Sequence, residues 1–532
     1  MKDTFRQSMT WLHTWAGLVF CWILYFMFIT GTLGYFDTEI DRWMQPELRT
    51  VENATLAQSI DTARARLESE APGAERWLIS PPGNRETPQL NIFWQQPRTE
   101  AGAGERGEQM LDVHSGEPLA ARETAGGQTL YRMHYLLHYL PRDVGYRIVG
   151  VITLLMFVGL ITGIVIHKNI FKDFFTFRPG RRKRSWLDIH NLLSVATLPF
   201  QLMITYSGLV FVITLWMPLV GFSSYGFDAG KLRAALTEIA GQVQVEPAGT
   251  PAPLGSLTAM ADTAVAHWGD SIRSIEVKWP GDANARVIIR KSPQSISRFR
   301  EQLVFDGVSG ELLQAKTAET NAPQAVANSL IGLHEGLFAG PLLRWLYFIS
   351  GLLGAGMVAT GAIYWVVKRR PKPGREAVAS AGHRLVECLN VGTIAGLPVA
   401  IAAYFWANRL LPVDMAGRAD WEVHVLFMVW LAALIHPRLR SLRTAWIEQL
   451  WLGAAAFTLL PLVNAATTDG HLLQSLAAGD WLFAGFDLTA LATGLLLGIA
   501  AWQLGRHWQP GPKPEPVVLP AATLATRRDI TR

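Results

Sequence analysis

The chain has 532 residues, half of them apolar and 20 of them tryptophan, which is too hydrophobic for a soluble protein that hides one core per domain. Its formal charge of +5 requires no nucleic acid, because a few basic loops account for it and can face anionic lipid. The only cysteines, Cys21 and Cys388, exclude a disulfide framework, a thiolate metal site and an iron–sulfur cluster, and no CxxCH is present, so any redox centre must use histidine.

In chain order, residues 1–36 form a first span that opens on LHTWAGL with His13 at its mouth. It is too long and bulky for a signal peptide and shows no small-residue cleavage site, so it reads as an uncleaved anchor. Residues 37–140 are polar. A helix-period stretch, TLAQSIDTARARLE, precedes alternating strands, RWLIS and QLNIFWQ, and the segment closes on the strand and turn LDVHSGEPL. A second span (141–168), a basic loop (169–185) and a third span (186–218) follow. Residues 219–340 repeat the polar pattern with GSLTAMADTAVAHW, SIEVKWP, ARVIIRKS and VFDGVSGELL. A fourth span (341–370) leads through the linker 371–382 to four closely spaced spans in 383–507. The Pro-rich tail, 508–532, is expected to be disordered.

This predicts an α-helical polytopic membrane protein of about eight spans with two α+β domains on one side. The basic loops HKNIFKDFFTFRPGRRKR, VVKRRPKPGR and HPRLRSLR all fall on the other side, which the positive-inside rule makes cytoplasmic, with both termini. Residues 1–370 are two copies of one unit. From His13 it is 17 residues to Thr30-Gly31, and from His190 it is 17 to Ser207-Gly208. LLHYLPRDVGYRIVG aligns with GLHEGLFAGPLLRWLYFISG, which sets His138 opposite His334, and the exits TGIVIHK and TGAIYWVVK also correspond. Parallel copies imply a pseudo-two-fold axis along the membrane normal.

Haem b needs axial imidazoles held at fixed depth in a dry apolar setting. His13 and His190 occupy equivalent positions at one face and His138 and His334 at the other, so two pairs can hold two haems. A single histidine at a helix mouth is more often an interfacial, water-bonded residue, and Trp11, Trp15 and Trp186 belong to an interface belt. Recurrence at matched offsets favours ligation, although duplication also copies irrelevant residues. His134, one turn before His138, is a second-choice ligand or a haem-propionate partner, and its lack of a counterpart in the second copy argues against ligation. His167, with Trp365 at the matching place, ranks as a substitute ligand. His383, His424 and His436 read as interfacial. Phosphate loops, GxGxxG, HExxH and GxSxG are absent, so electrons would come from a quinol or a partner reductase.

In order, LHTWAGL, LLHYL, WLDIHNLLSV and GLHEGLF, with the endings LDVHSGEPL and VFDGVSGELL, resemble the PepSY-associated transmembrane proteins over about residues 5–370. These are also described as iron-regulated membrane proteins and siderophore-interacting reductases. The resemblance implies a multi-pass protein of the inner membrane of Gram-negative bacteria with two periplasmic PepSY-like domains. It carries a haem-ligand role to His13 and His190 on the cytoplasmic side and to His138 and His334 on the periplasmic side. It also implies an oxidoreductase that reduces a ferric siderophore. Reduction to Fe(II) would weaken the grip of hard oxygen donors and release the ion. Two other readings are a non-catalytic sensor that binds peptidases through its PepSY domains and a transporter. The first makes matched histidines superfluous; the second lacks midplane charges, with Pro199 and Pro398 as isolated helix breakers.

Overall fold

The computed structural model describes residues 4–48, 54–83, 85, 87–98, 102, 104–167, 170, 182–213, 228, 230–231, 243–269, 272–293, 295–298, 301–316, 322–370 and 380–507. The tail beyond Gln509, and most of the basic loop and linker, lie outside the described residues.

Helix α1 (Phe5–Leu33) begins at Thr4, whose side chain accepts from the Gln7 amide while Gln7 reaches back to the Thr4 backbone. That reciprocal cap satisfies two of the amides a helix start leaves open. A 3-10 turn, Gly34–Phe36, joins it to α2 (Asp37–Met44). The chain then leaves the apolar bundle through α3 (Leu56–Glu70) and strands β1 (Arg76–Ser80), β2 (Leu90–Gln95) and β3 (Arg106–Leu111). It returns through a short helix α4 (Gly126–Leu136) and the apolar α5 (Arg142–Ile166). The second copy follows the same course: α6 (Arg182–Ala196), α7 (Leu198–Phe211), α8 (Leu257–Trp268), β4 (Ile272–Lys278), β5 (Arg286–Lys291), β6 (Gln302–Asp306), β7 (Leu312–Lys316), short α9 (Ala322–Glu335) and long α10 (Pro341–Arg369).

Among the described residues, seven helical segments are long and apolar enough to cross a membrane, and the pair α6–α7 makes an eighth if it is one span. That pair bends by 67°. The cause is local: Pro199, in the first turn of α7, has no N–H to continue the helix through Thr197.

The two α+β segments meet in one antiparallel sheet of seven strands, ordered β3-β2-β1-β4-β5-β6-β7. Strand β1 pairs with β4 in register from Arg76↔Lys278 to Ile79↔Ile275, so the halves are sewn together at the sheet centre. One face, with Trp77, Ile79, Ile275, Val277 and Ile289, packs under α3 and α8 as a closed apolar core. The other carries Arg76, Glu276 and Arg290 toward the membrane helices, with Glu276 bonded to Arg76 at 2.5 Å and to Arg290 at 2.6 Å. The repeated Asp-x-x-Ser-Gly-Glu turns have one geometry. Asp112 accepts from the Ser115 amide at 2.7 Å and Asp306 from the Ser309 amide at 2.9 Å, and Gly116 and Gly310 take positive φ (75° and 77°).

The C-terminal unit comprises α11 (Ala381–Asn390), a π turn (Val391–Ala395), α12 (Gly396–Leu410), α13 (Arg418–Leu439), α14 (Leu442–Thr467), α15 (Leu472–Ala478) and α16 (Trp481–His507). It packs on α1, α2 and α4 through a core that joins Phe26, Trp43 and Met133 to Leu397, Phe405 and Phe483. Where it meets α2, buried charges interlock: Arg418 bonds Glu422 at 2.5 Å, Asn408 donates to Glu422 at 2.8 Å, and Trp43 donates its indole N–H to Asp487 at 3.0 Å. Arg409 also lies over the Trp43 ring and donates to its carbonyl.

Candidate functional site: two facing histidine pairs

At the basic-loop end, His13 of α1 and His190 of α6 face each other with ring centroids 6.4 Å apart and planes at 67°. His13 Nδ1 lies 2.9 Å from the Gly159 carbonyl of α5, and His190 Nδ1 lies 2.9 Å from the Met357 carbonyl of α10. A carbonyl only accepts, so each Nδ1 carries the proton and Nε2 keeps its lone pair. Both rings line a cavity of about 330 Å³ whose wall includes Phe20, Leu24, Met156 and Leu160. His167, the C-cap of α5, borders the same cavity.

At the sheet end, it is His134 of α4 that faces His334 of α9, with centroids 6.2 Å apart and planes at 44°. His134 Nδ1 sits 2.7 Å from the Met27 carbonyl of α1. His334 Nδ1 sits 3.0 Å from Ser207 Oγ of α7, which donates its own proton to the Met203 carbonyl at 2.6 Å and so accepts from the ring. This pair lines a cavity of about 420 Å³ with Tyr35, Tyr131, Tyr146, Arg142 and Arg298.

The structure does not bring His138 to His334. Helix α4 ends at Leu136, and the turn that follows sets Leu137 and Tyr139 at positive φ (53° and 69°). His138 is thereby carried outward to stack on Phe427 of the C-terminal unit, centroids 5.7 Å apart and nearly parallel at 19°. The sequence signal for His134 is the proline that heads the next helix: His134 precedes Pro141 by the same seven residues by which His334 precedes Pro341. The shared Leu-His dipeptide pulls the alignment one turn too far along. The remaining histidines lie elsewhere: His383 stacks on Trp365, His424 meets the Tyr139 hydroxyl, and His436 pairs with Glu448 at 2.9 Å.

All four rings sit in one kind of seat, which sequence reading registered only as repeated spacing. A hydroxyl residue followed by glycine forms it: Thr162-Gly163 under His13, Thr360-Gly361 under His190, Thr30-Gly31 under His134 and Ser207-Gly208 under His334. Each hydroxyl turns back onto the carbonyl four residues earlier (2.6–2.8 Å), which keeps it off the helix surface as a donor. Each glycine removes the Cβ that would occupy the ring's place. A Cβ at Gly31 would lie 2.5 Å from His134 Nδ1, and one at Gly361 would lie 3.1 Å from His190 Cε1.

Metal–imidazole bonds of about 2 Å on each side put two ring centroids roughly 6 Å apart, which is the spacing of both pairs. Among the described residues no group of three or more His, Cys, Asp or Glu is placed to hold an ion. Two imidazoles are thus the His, Cys, Asp or Glu donors that the described residues place at each pair.

The sequence profile of the PepSY-associated TM region matches residues 10–368. The chain belongs to that family. The match spans both copies of the repeat, all four seats and both facing pairs of this PepSY-associated transmembrane protein, and it stops before the C-terminal unit. No curated protein matches the chain.

Proposed function

We propose that this family member is a b-type-haem electron carrier of the bacterial inner membrane that reduces a ferric siderophore on the periplasmic side, releasing Fe(II). The supporting observation is the pair of imidazole pairs at 6.4 and 6.2 Å, each ring offering Nε2 because its Nδ1 is tied to a neighbouring helix. His13 with His190, and His134 with His334, are the assigned ligands. Bound haem b supplies one-electron Fe(III)/Fe(II) chemistry.

The chain's own residues set the conditions for that chemistry. The Nδ1 bonds fix tautomer and ring orientation and raise the basicity of Nε2. The walls around the basic-loop pair are mostly apolar, which suits the flat apolar body of a macrocycle. Lys368 and Arg369 border that cavity, and Arg142 and Arg298 border the other, as cations for the carboxylate arms of the macrocycle. Helix α1 joins the pairs, with His13 separated from Met27, whose carbonyl accepts from His134, by roughly 21 Å of helix. Electrons enter at the basic-loop end, from a quinol or a partner reductase, and leave at the sheet end. There the first strands of the two copies roof the space in which a chelate docks.

The test is a dithionite-reduced minus oxidised spectrum of the purified chain with non-covalent haem counted. About two b haems per chain is the expected result. A colourless protein made with ample haem supply overturns the proposal and leaves a peptide-binding membrane protein as the better account.

A further inference from the structure

Between the charged face of the sheet and the sheet-end histidines lies a second cavity of about 720 Å³. Among the described residues it is lined by eight Arg or Lys side chains and three Asp or Glu. Arg76, Arg290 and Lys291 come down from the sheet, while Arg42, Arg298 and Arg344 come up from the membrane helices and the segment before α9. Three further carboxylates approach from behind and are already engaged: Glu39 by Arg85 and Arg344, Glu276 by Arg76, Lys278 and Arg290, and Glu301 by Lys291. Counting these three against the lining still leaves the cations in excess.

The cavity is joined to the sheet-end pair, because Tyr35, Tyr131, Arg298 and Glu335 line both spaces. Its volume suits a small multidentate molecule rather than a bare ion. Its charge selects the sign of that molecule. Fixed guanidinium groups within a concave, partly enclosed wall raise the local concentration of anions and oppose entry of cations.

We infer that this cavity is the docking site for the iron complex and that it takes net-anionic, oxygen-donor chelates in preference to neutral or cationic ones. The inference rests on the reductase reading for the identity of the ligand as a ferric chelate. The charge selection rests on the cavity alone.

Gallium(III) complexes test it, since Ga(III) takes the same oxygen donors and is not reduced. Binding to the full-length protein in neutral detergent is measured for a tris-catecholate complex carrying three negative charges and for neutral and cationic tris-hydroxamate complexes. The anionic complex is expected to bind at least about tenfold more tightly, with affinity falling as salt rises. Lys291→Gln and Arg42→Gln are each expected to weaken it several-fold, and Arg42→Lys less than Arg42→Gln. Equal affinity for all three complexes, or binding of phosphatidylglycerol in place of every gallium complex, overturns the inference. A colourless protein that still prefers the anionic complex keeps the site and removes the haem reading. A two-haem protein that binds no complex does the reverse.

Discussion

Gly31 and His134 touch so closely that a methyl group on Gly31 would lie 2.5 Å from the imidazole nitrogen that bonds Met27. The equivalent distance from Gly163 to His13 Cε1 is 3.3 Å. Neighbours at the first distance must move; at the second they need give only slightly. Gly31→Ala is therefore expected to empty the sheet-end pair, lowering the haem content to roughly half, while Gly163→Ala keeps nearly all of it. Pyridine haemochrome assay of the two variants checks the contrast. Equal loss, or none in either, would separate haem binding from these seats.

Replacement of histidines distinguishes pairing from proximity. His134→Ala is expected to remove one haem of two, as is His334→Ala, and the double variant to remove no more than one. His138→Ala is expected to leave haem unchanged, because its ring stacks on Phe427 and its loss costs packing alone. A haem lost from His138→Ala and kept in His134→Ala would reverse the assignment.

Glu276 sets a pH limit on the sheet. Burial pushes its carboxyl up, but Arg290, Arg76 and Lys278 together hold it below the usual carboxylate value. A depressed folded value contributes stability that is present above the unfolded value, about 4.3, and lost as pH falls through the folded one. Hydrogen exchange at the β1–β4 pairing is expected to stay slow down to about pH 4 and to quicken below it. Glu276→Gln should remove that pH step and destabilise the sheet by about 2 kcal/mol. That is less than the roughly 3–5 kcal/mol of a fully buried pair, since Arg76 stays 30% exposed.

Arg418 and Glu422 are wholly buried where the C-terminal unit meets the first copy. Truncating one partner strands the other, so Glu422→Ala is expected to cost on the order of 3–5 kcal/mol, seen as a lower midpoint in fixed-rate thermal scans in detergent. The joint replacement Arg418→Met with Glu422→Leu is expected to remain destabilising, because Asn408, Thr124 and the Ala125 amide lose their acceptor. A single variant as stable as the unmodified chain would show the network to be dispensable.

Much of this architecture is legible in the residues. Length and apolarity give the spans, and the Asp-x-x-Ser-Gly-Glu turns reveal the repeat because only glycine comfortably supplies the positive φ they need. The 17-residue spacing from His13 to Thr30-Gly31, and from His190 to Ser207-Gly208, records seat geometry without explaining it. Three features lie beyond local pattern. The bend at Thr197 needs Pro199 to be weighed against a long apolar run. The choice of His134 over His138 depends on where α4 stops, which is decided by positive φ at Leu137 and Tyr139 rather than by residue type. The joining of both α+β segments in one sheet depends on β1 and β4 meeting in space, and each strand reads equally well as the edge of a separate domain.

That central joint has a consequence for how the chain is made. Strand β1 emerges long before β4, and the spans α5, α6 and α7 must be threaded into the bilayer in the interval. Until then β1 presents an unpaired edge of N–H and C=O groups beside an apolar face that α3 alone covers, a template for pairing with the wrong strand. The first half of the protein is thus born unfinished, and its assembly waits on translation of the second.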